Sequence, residues 1–315
     1  MDLRLSEQQQ AILASLDGIC RPFEGSAVSA PVFAAVSADM ESELLRSGFL
    51  DVLAIPELGS VTAALVIERL ARLPLSVEVA ASVMFRPFLG NEPPYPVCLA
   101  DANHPHRPVR FAQEGALLVR IGETVTVERI APGNSGSERG GLYAYPIGTV
   151  PTASAPAPLA LSTNEALARW RAGLAAEAAG IAAGALAVTC RHVSDRTQFG
   201  KPIGTFQAIR HRLAEAEVRV RGMYWLAMKA AASLDPADTA LAALWAQECA
   251  TRIVYDFHQF LGAMGMTLEH PLHFYTYRLK LLIGDLGGRG ASGTAAAACL
   301  WPQREPTNQA IAGCA

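Results

Sequence analysis

The sequence predicts a mostly α-helical chain with a reduced β domain set into its middle. Three observations carry that prediction. Residues 174–190 form an apolar run dominated by Ala and Gly and broken by a single carboxylate, Glu177, as a buried helix of a bundle would be. Phe206, Ile209, Leu213, Ala216, Val220, Met223 and Ala227 recur in alternating steps of three and four, which puts them on one stripe of one helix. Between Asn91 and Pro158 the character changes: Pro93, Pro94 and Pro96 cluster, and short alternating runs replace the helical period.

Taken in order, residues 5–90 follow a helical pattern with a break at Ile55-Pro56-Glu57-Leu58-Gly59 and a periodic run from Val61 to Leu73 that Pro74 stops. Residues 1–90 are therefore read as an N-terminal helical domain. Residues 116–121 and 124–130 read as strands, 133–141 as a glycine-rich loop, and 149–158 as a Pro- and Ala-rich linker, so 91–158 is the β domain with its linker. Helices return at Ser162. Asp235-Pro236 supplies the cap and first-turn proline of a helix that runs toward Gly262. Residues 159–290 are expected to form a four-helix bundle and 291–315 a tail.

Composition narrows the function classes. Of 315 residues 17% are charged and 51% hydrophobic, and the formal net charge is −3, so no basic field points to nucleic acid or an anionic membrane. Low charge with high apolar content points instead to buried subunit surface. The cysteines (Cys20, Cys98, Cys190, Cys249, Cys299, Cys314) are scattered without Cys-x-x-Cys or Cys/His spacing, which argues against a zinc site or a disulfide framework and for a reducing compartment. The first ten residues lack the apolar core of a signal peptide, and 174–190 is read as a bundle core rather than a membrane span. The expected location is cytoplasmic.

The most informative stretch is Arg196-Thr-Gln-Phe-Gly-Lys-Pro-Ile-Gly-Thr-Phe-Gln207, a charged, glycine-punctuated corner between two long helices. A guanidinium keeps its charge and offers a planar fork of donors suited to phosphate oxygens. The stretch closely resembles the flavin-binding signature of the acyl-CoA dehydrogenases. The resemblance implies that Arg196 reaches the pyrophosphate of an FAD bound by a neighbouring subunit, that Phe199 packs near the adenine, that Gln198 lies in the same contact, and that Phe206 and Gln207 open the next helix. A second stretch, Gln259-Phe-Leu-Gly-Ala-Met-Gly-Met266, resembles a family segment that lies against the adenosine half of FAD. Gln259, Gly262 and Gly265 are retained there, while Ala263 replaces a glycine and Met266 an aromatic. Ala263 puts a methyl group where backbone would approach the cofactor.

The departures matter as much as the matches. Members of the family abstract the α-proton of a thioester with a glutamate. In one class that glutamate follows the last bundle helix, where this chain has Asp285-Leu286-Gly287-Gly288; in the other it lies on the first bundle helix, in the column of Trp170. Arg171, beside it, matches an arginine that lies near the substrate in active members. Glu177 is read as structural, and neither Glu165 nor Asp285 falls in a base column. The family's ring-binding runs are not recognisable between residues 91 and 149. His258, His270 and His273 are expected to cap helices or face solvent.

The resemblance therefore implies an acyl-CoA dehydrogenase-like fold in the short, non-catalytic subunit of an α2β2 enzyme of bacterial steroid side-chain degradation. A longer partner subunit would supply the glutamate and most of the site for the acyl-CoA substrate. The reaction implied is α,β-dehydrogenation of a thioester, with electrons passing to an electron-transfer flavoprotein. Two readings stay open beside it: a homomeric enzyme with a relocated base, Glu177 or Glu165, and a cofactor-free structural paralogue.

Overall fold

Caps written into the sequence set the helix starts. A computed structural model describes residues 4–24, 35–133, 136–137, 144–150 and 156–301. Helix α1 (Glu7–Cys20) opens on a reciprocal box in which Ser6 accepts from the Gln9 amide and the Gln9 side chain accepts from the Ser6 amide. Helix α2 (Ala38–Ser47) runs from a Ser37 cap to Gly48 at φ +73°, and α3 (Gly59–Ala71) and α4 (Ala80–Phe85) complete the N-terminal helices.

Short strands follow: β1 (Val97–Asp101), β2 (Val109–Arg110), β3 (Leu117–Ile121), β4 (Val125–Arg129), β5 (Gly136–Ser137), β6 (Ile147–Thr149) and β7 (Ala157–Pro158). They build two sheets, ordered β1-β3-β4-β7 and β2-β6-β5. β1 lies parallel to β3, with Val97 opposite Leu117, and β3 lies antiparallel to β4, with Leu117 opposite Arg129. The linker differs from expectation at its ends, because Thr149 closes β6 and Ala157–Pro158 adds an edge to β4. Its centre, 151–155, lies outside the described residues, as do 134–135 and 138–143 of the glycine-rich loop.

The C-terminal helices are α5 (Thr163–Asp195), α6 (Gln207–Ser233), α7 (Pro236–Leu261), α8 (Leu272–Gly284) and α9 (Gly288–Leu300), with a small hairpin of β8 (Thr197–Gln198) and β9 (Lys201–Pro202) between the first two. The expected tail begins as helix: α9 packs along α7, where the Ser292 hydroxyl donates to Gln247 at 2.8 Å; residues 302–315 lie outside the described residues.

The Ala- and Gly-rich composition of α5 has a packing cause. A Cβ on Gly180 would sit 2.1 Å from the Glu68 carbonyl oxygen of α3, and one on Gly184 would sit 2.3 Å from the Tyr275 ring of α8. These glycines let α5 touch backbone, so it forms the axis against which α3, α6, α7 and α8 pack. By length and apolarity α5 alone among the described helices could cross a membrane, but most of it is buried within the protein. Arg278 fastens the two helical halves together: it is 2% exposed and donates to the carbonyls of Ala71, Leu73, Leu75 and Phe274 at 2.6–3.1 Å. Those contacts fix the connection into α4, which forms one wall of the cavity described below.

Candidate functional site

Successive antiparallel turns bring the end of α5, the start of α6 and the end of α7 to one end of the bundle. His192, in the last turn of α5, meets His270, beyond α7, edge-on at 5.4 Å, and Arg212 of α6 pairs with the buried Asp256 of α7. The two stretches that resemble family signatures thus share one end of the molecule.

The corner itself is built for presentation. Phe199 and Gly200 sit at φ +54° and +79°, the second comfortable for glycine and the first strained for an aromatic residue. That backbone leaves the Phe199 ring 89% exposed, touching only the edge of Phe206 among aromatic neighbours at 6.0 Å, while the Lys201 ammonium stands 4.6 Å from the Phe206 ring. Arg196 is exposed, and its guanidinium has no hydrogen bond or ion pair among the described residues. α6 starts at Phe206 without a side-chain cap, so its first amides remain open toward the corner. Gln198, Gln207 and Gln259 are exposed, Gly262 at φ +56° has open space where a Cβ would stand, and Ala263 lies exposed beside it. A free guanidinium fork, an uncapped helix start and a solvated aromatic ring suit a diphosphate and a flat base.

The columns of the base lie elsewhere. Trp170, on α5 and 8% exposed, and Leu286, at φ +56° beyond α8, both border a cavity of about 260 Å³ between α4, α5, β1, β2 and the end of α8. Neither side chain can accept a proton. The carboxylates nearby are held: Arg110 of β2 donates to both oxygens of Glu177 at 3.1 and 3.2 Å and to Asp285 at 3.0 Å, and the Tyr145 hydroxyl donates to Glu177 at 2.6 Å. Burial raises the Asp285 carboxyl above its usual range against the pull of Arg110. Glu165 is paired with Arg169 at 2.9 Å. Arg171 lies beside a smaller recess of about 150 Å³ with Asp101, Asn103 and Leu286, has no ion pair among the described residues, and is lowered from its usual range by burial.

Sequence reasoning missed Glu78. It is buried on the cavity wall, its two oxygens accept from the Ala81 and Ser82 amides at 2.8 and 2.9 Å, and burial pushes its carboxyl up to about 7. The available signal was an acidic residue just ahead of the apolar run 80–85, which is where a helix start takes a carboxylate. The histidines differ in part from expectation. His270 accepts from the Leu272 amide as a cap, but His273 is 2% exposed, packed in α8, and its Nδ1 lies 2.7 Å from the His270 carbonyl.

The architecture is that of the acyl-CoA dehydrogenases. Solved structures that share it include the ChsE4-ChsE5 complex from Mycobacterium tuberculosis (TM-score 0.73, 18% identity, 97% of this chain and 100% of that one) and PigA with FAD and proline (TM-score 0.75, 18% identity, 95% and 99%). Residues 161–283 match the family model for the acyl-CoA dehydrogenase C-terminal domain. Among curated relatives, acyl-CoA dehydrogenase FadE34 of Mycobacterium tuberculosis is 38% identical over 124 residues, 37% of this chain and 17% of that protein. The match spans between 17% and 35% of the length of the first four curated relatives. These comparisons support FAD as the cofactor.

Proposed function

We propose that this chain is the non-catalytic subunit of a heteromeric, flavin-dependent acyl-CoA dehydrogenase. Arg196 binds the pyrophosphate of an FAD held mainly by a longer partner subunit, Phe199 covers the adenine, and Gln198, Phe206, Gln207, Gln259, Gly262 and Ala263 complete the contact. When bound, FAD supplies the hydride acceptor for α,β-dehydrogenation of a thioester. The partner supplies the carboxylate that takes the α-proton and most of the acyl site, with Arg171 as this chain's substrate-proximal side chain. The observation that carries this reading is Phe199, an aromatic ring left 89% in water on a strained backbone beside an arginine whose side chain has no ion pair among the described residues. Such a surface is made to be covered.

Supporting considerations extend the reading. ChsE4-ChsE5 is a two-component complex of this fold, and the stretch from Pro271 to Asp285 resembles the last helix of a bacterial branch of the family that often works on bulky acyl-CoA esters, so a steroid side-chain thioester in the bacterial cytoplasm is the proposed substrate and setting. An electron-transfer flavoprotein is the proposed acceptor. The relocated-base reading is disfavoured because Glu177 is bonded to Arg110 and Tyr145, and Glu165 to Arg169.

The test is co-expression with a full-length acyl-CoA dehydrogenase as the partner, followed by flavin titration of the purified complex. Arg196→Ala in this chain removes a charge-assisted contact of about 1.5–3 kcal/mol, and should weaken FAD binding roughly 10- to 150-fold while the complex stays assembled. Unchanged affinity would sink the assignment of the corner.

A further inference from the structure

A second cavity, of about 450 Å³, opens between α1, α3, α5 and α6. It shares no lining residue with the cavity beside Trp170. Ala183, its wall on α5, lies 13 positions after Trp170 and 13 before Arg196, about 20 Å from each at 1.5 Å per residue. The space therefore belongs neither to the Trp170 cavity nor to the corner. Its volume falls in the range of about 300–1,000 Å³ that small-molecule sites occupy.

The lining is of two kinds. Leu13, Leu65, Leu186 and Val220 are buried, apolar walls, while Trp225 is left 40% exposed with its ring edge-on to Tyr224 at 4.9 Å. A flat apolar body would cover that indole. The charged groups are Arg69 and Arg72 of α3 and Arg221 of α6, with the carboxylates of Glu68 and Glu217. Arg72 gives Nε and Nη2 to one oxygen of Glu68, both at 2.8 Å, Arg221 gives Nε to Glu217 at 2.6 Å, and Arg69 gives Nη1 to Asp17 at 3.0 Å. The Arg69 Nε is buried with no acceptor.

A guanidinium carries five N–H donors, so each of the three keeps donors that no group among the described residues accepts. Tyr224 adds another. Its hydroxyl has no hydrogen bond among the described residues, and burial together with the nearby Glu68 holds it above its usual range, so it stays a donor. Donors in excess call for an acceptor-only group, which a carboxylate is. Charge agrees, because three guanidinia line the cavity against two carboxylates, and Asp17, the partner of Arg69 outside the lining, is 43% exposed and screened by water.

We propose that this cavity is a binding site for an aromatic monocarboxylate of two-ring size, its rings on Leu13, Leu65, Leu186 and Val220 against Trp225 and its carboxylate accepting from Arg69, Arg221 and the Tyr224 hydroxyl. A benzene ring fits an apolar cavity of about 150 Å³, so about 450 Å³ admits a fused pair with its carboxylate. The site requires neither FAD nor a partner subunit.

The test is calorimetric titration of the full chain with 2-naphthoate, and with 2-naphthamide as the uncharged probe of the same shape. The expected result is saturable one-to-one binding of 2-naphthoate, at least fivefold tighter than the amide. Tyr224→Phe, which breaks no hydrogen bond within the described residues, should weaken it threefold or more. Ala183→Trp, at a half-buried wall position, should weaken it tenfold or more with unchanged circular dichroism, whereas Leu281→Trp in the Trp170 cavity should leave it unchanged. Absence of saturable binding to the wild-type chain overturns the site, and equal affinity for the two probes overturns its choice of an anion. Full binding in a folded Ala183→Trp chain, or loss of binding in a folded Leu281→Trp chain, places the probe elsewhere and overturns the site as well. Unchanged binding in Tyr224→Phe overturns the assignment whether or not the Trp variants fold.

Discussion

Arg110 bears directly on the proposal that this chain carries no base. It neutralises two carboxylates at once, and removing one partner of a buried pair leaves a charge without compensation, at a cost of about 3–5 kcal/mol. Arg110→Met should therefore lower stability by that order in a denaturant titration, whereas a loss under 1 kcal/mol would show the pairs to be incidental. Glu177→Gln keeps volume and hydrogen-bonding capacity but deletes the basic carboxylate. In the assembled, flavin-replete complex it should change turnover no more than a few-fold, against the 10²- to 10⁴-fold loss expected of a general base. Glu78 makes the pH prediction. Its folded carboxyl titrates near 7 and its unfolded one near 4.5, so the stability it confers is complete below pH 4.5 and is lost as pH rises through 7. At roughly 1.4 kcal/mol per pH unit this amounts to at most on the order of 3 kcal/mol. The wild type should melt lower at pH 8 than at pH 5.5, and Glu78→Gln should flatten that difference.

At the scale of elements, the helices of the bundle were legible because their information is local. The stripe from Phe206 to Ala227 and the Asp235-Pro236 cap need no distant partner; Ala216, Val220, Met223 and Ala227 are buried in α6, and α7 starts at Pro236. What α5 packs against was not legible, although its Ala- and Gly-rich run marked it as a buried helix. Gly180→Ala would drive a methyl into the Glu68 carbonyl, so the modest helix-propensity gain of about 1 kcal/mol should be overturned and the melting temperature should fall. A stabilised Gly180→Ala protein would mean that α3 and α5 can separate freely. The β region was only partly legible, because β1 joins β3 in parallel across an intervening strand and its own runs do not announce that pairing.

For the whole molecule, the two kinds of site differ in how sequence encodes them. The corner from Arg196 to Gln207, proposed to face FAD, is one continuous stretch, so its resemblance was visible in the sequence. The cavity is assembled from segments far apart, with Arg110 67 positions from Glu177 and 175 from Asp285, so its locked carboxylates became visible only in three dimensions. The central claim is that this chain completes the flavin site of another. Flavin content of the chain purified alone, measured against the chain co-purified with its partner, tests that most directly. The account predicts a colourless single chain and a yellow complex whose flavin is lost on Arg196→Ala. Stoichiometric FAD in the chain purified alone would contradict it.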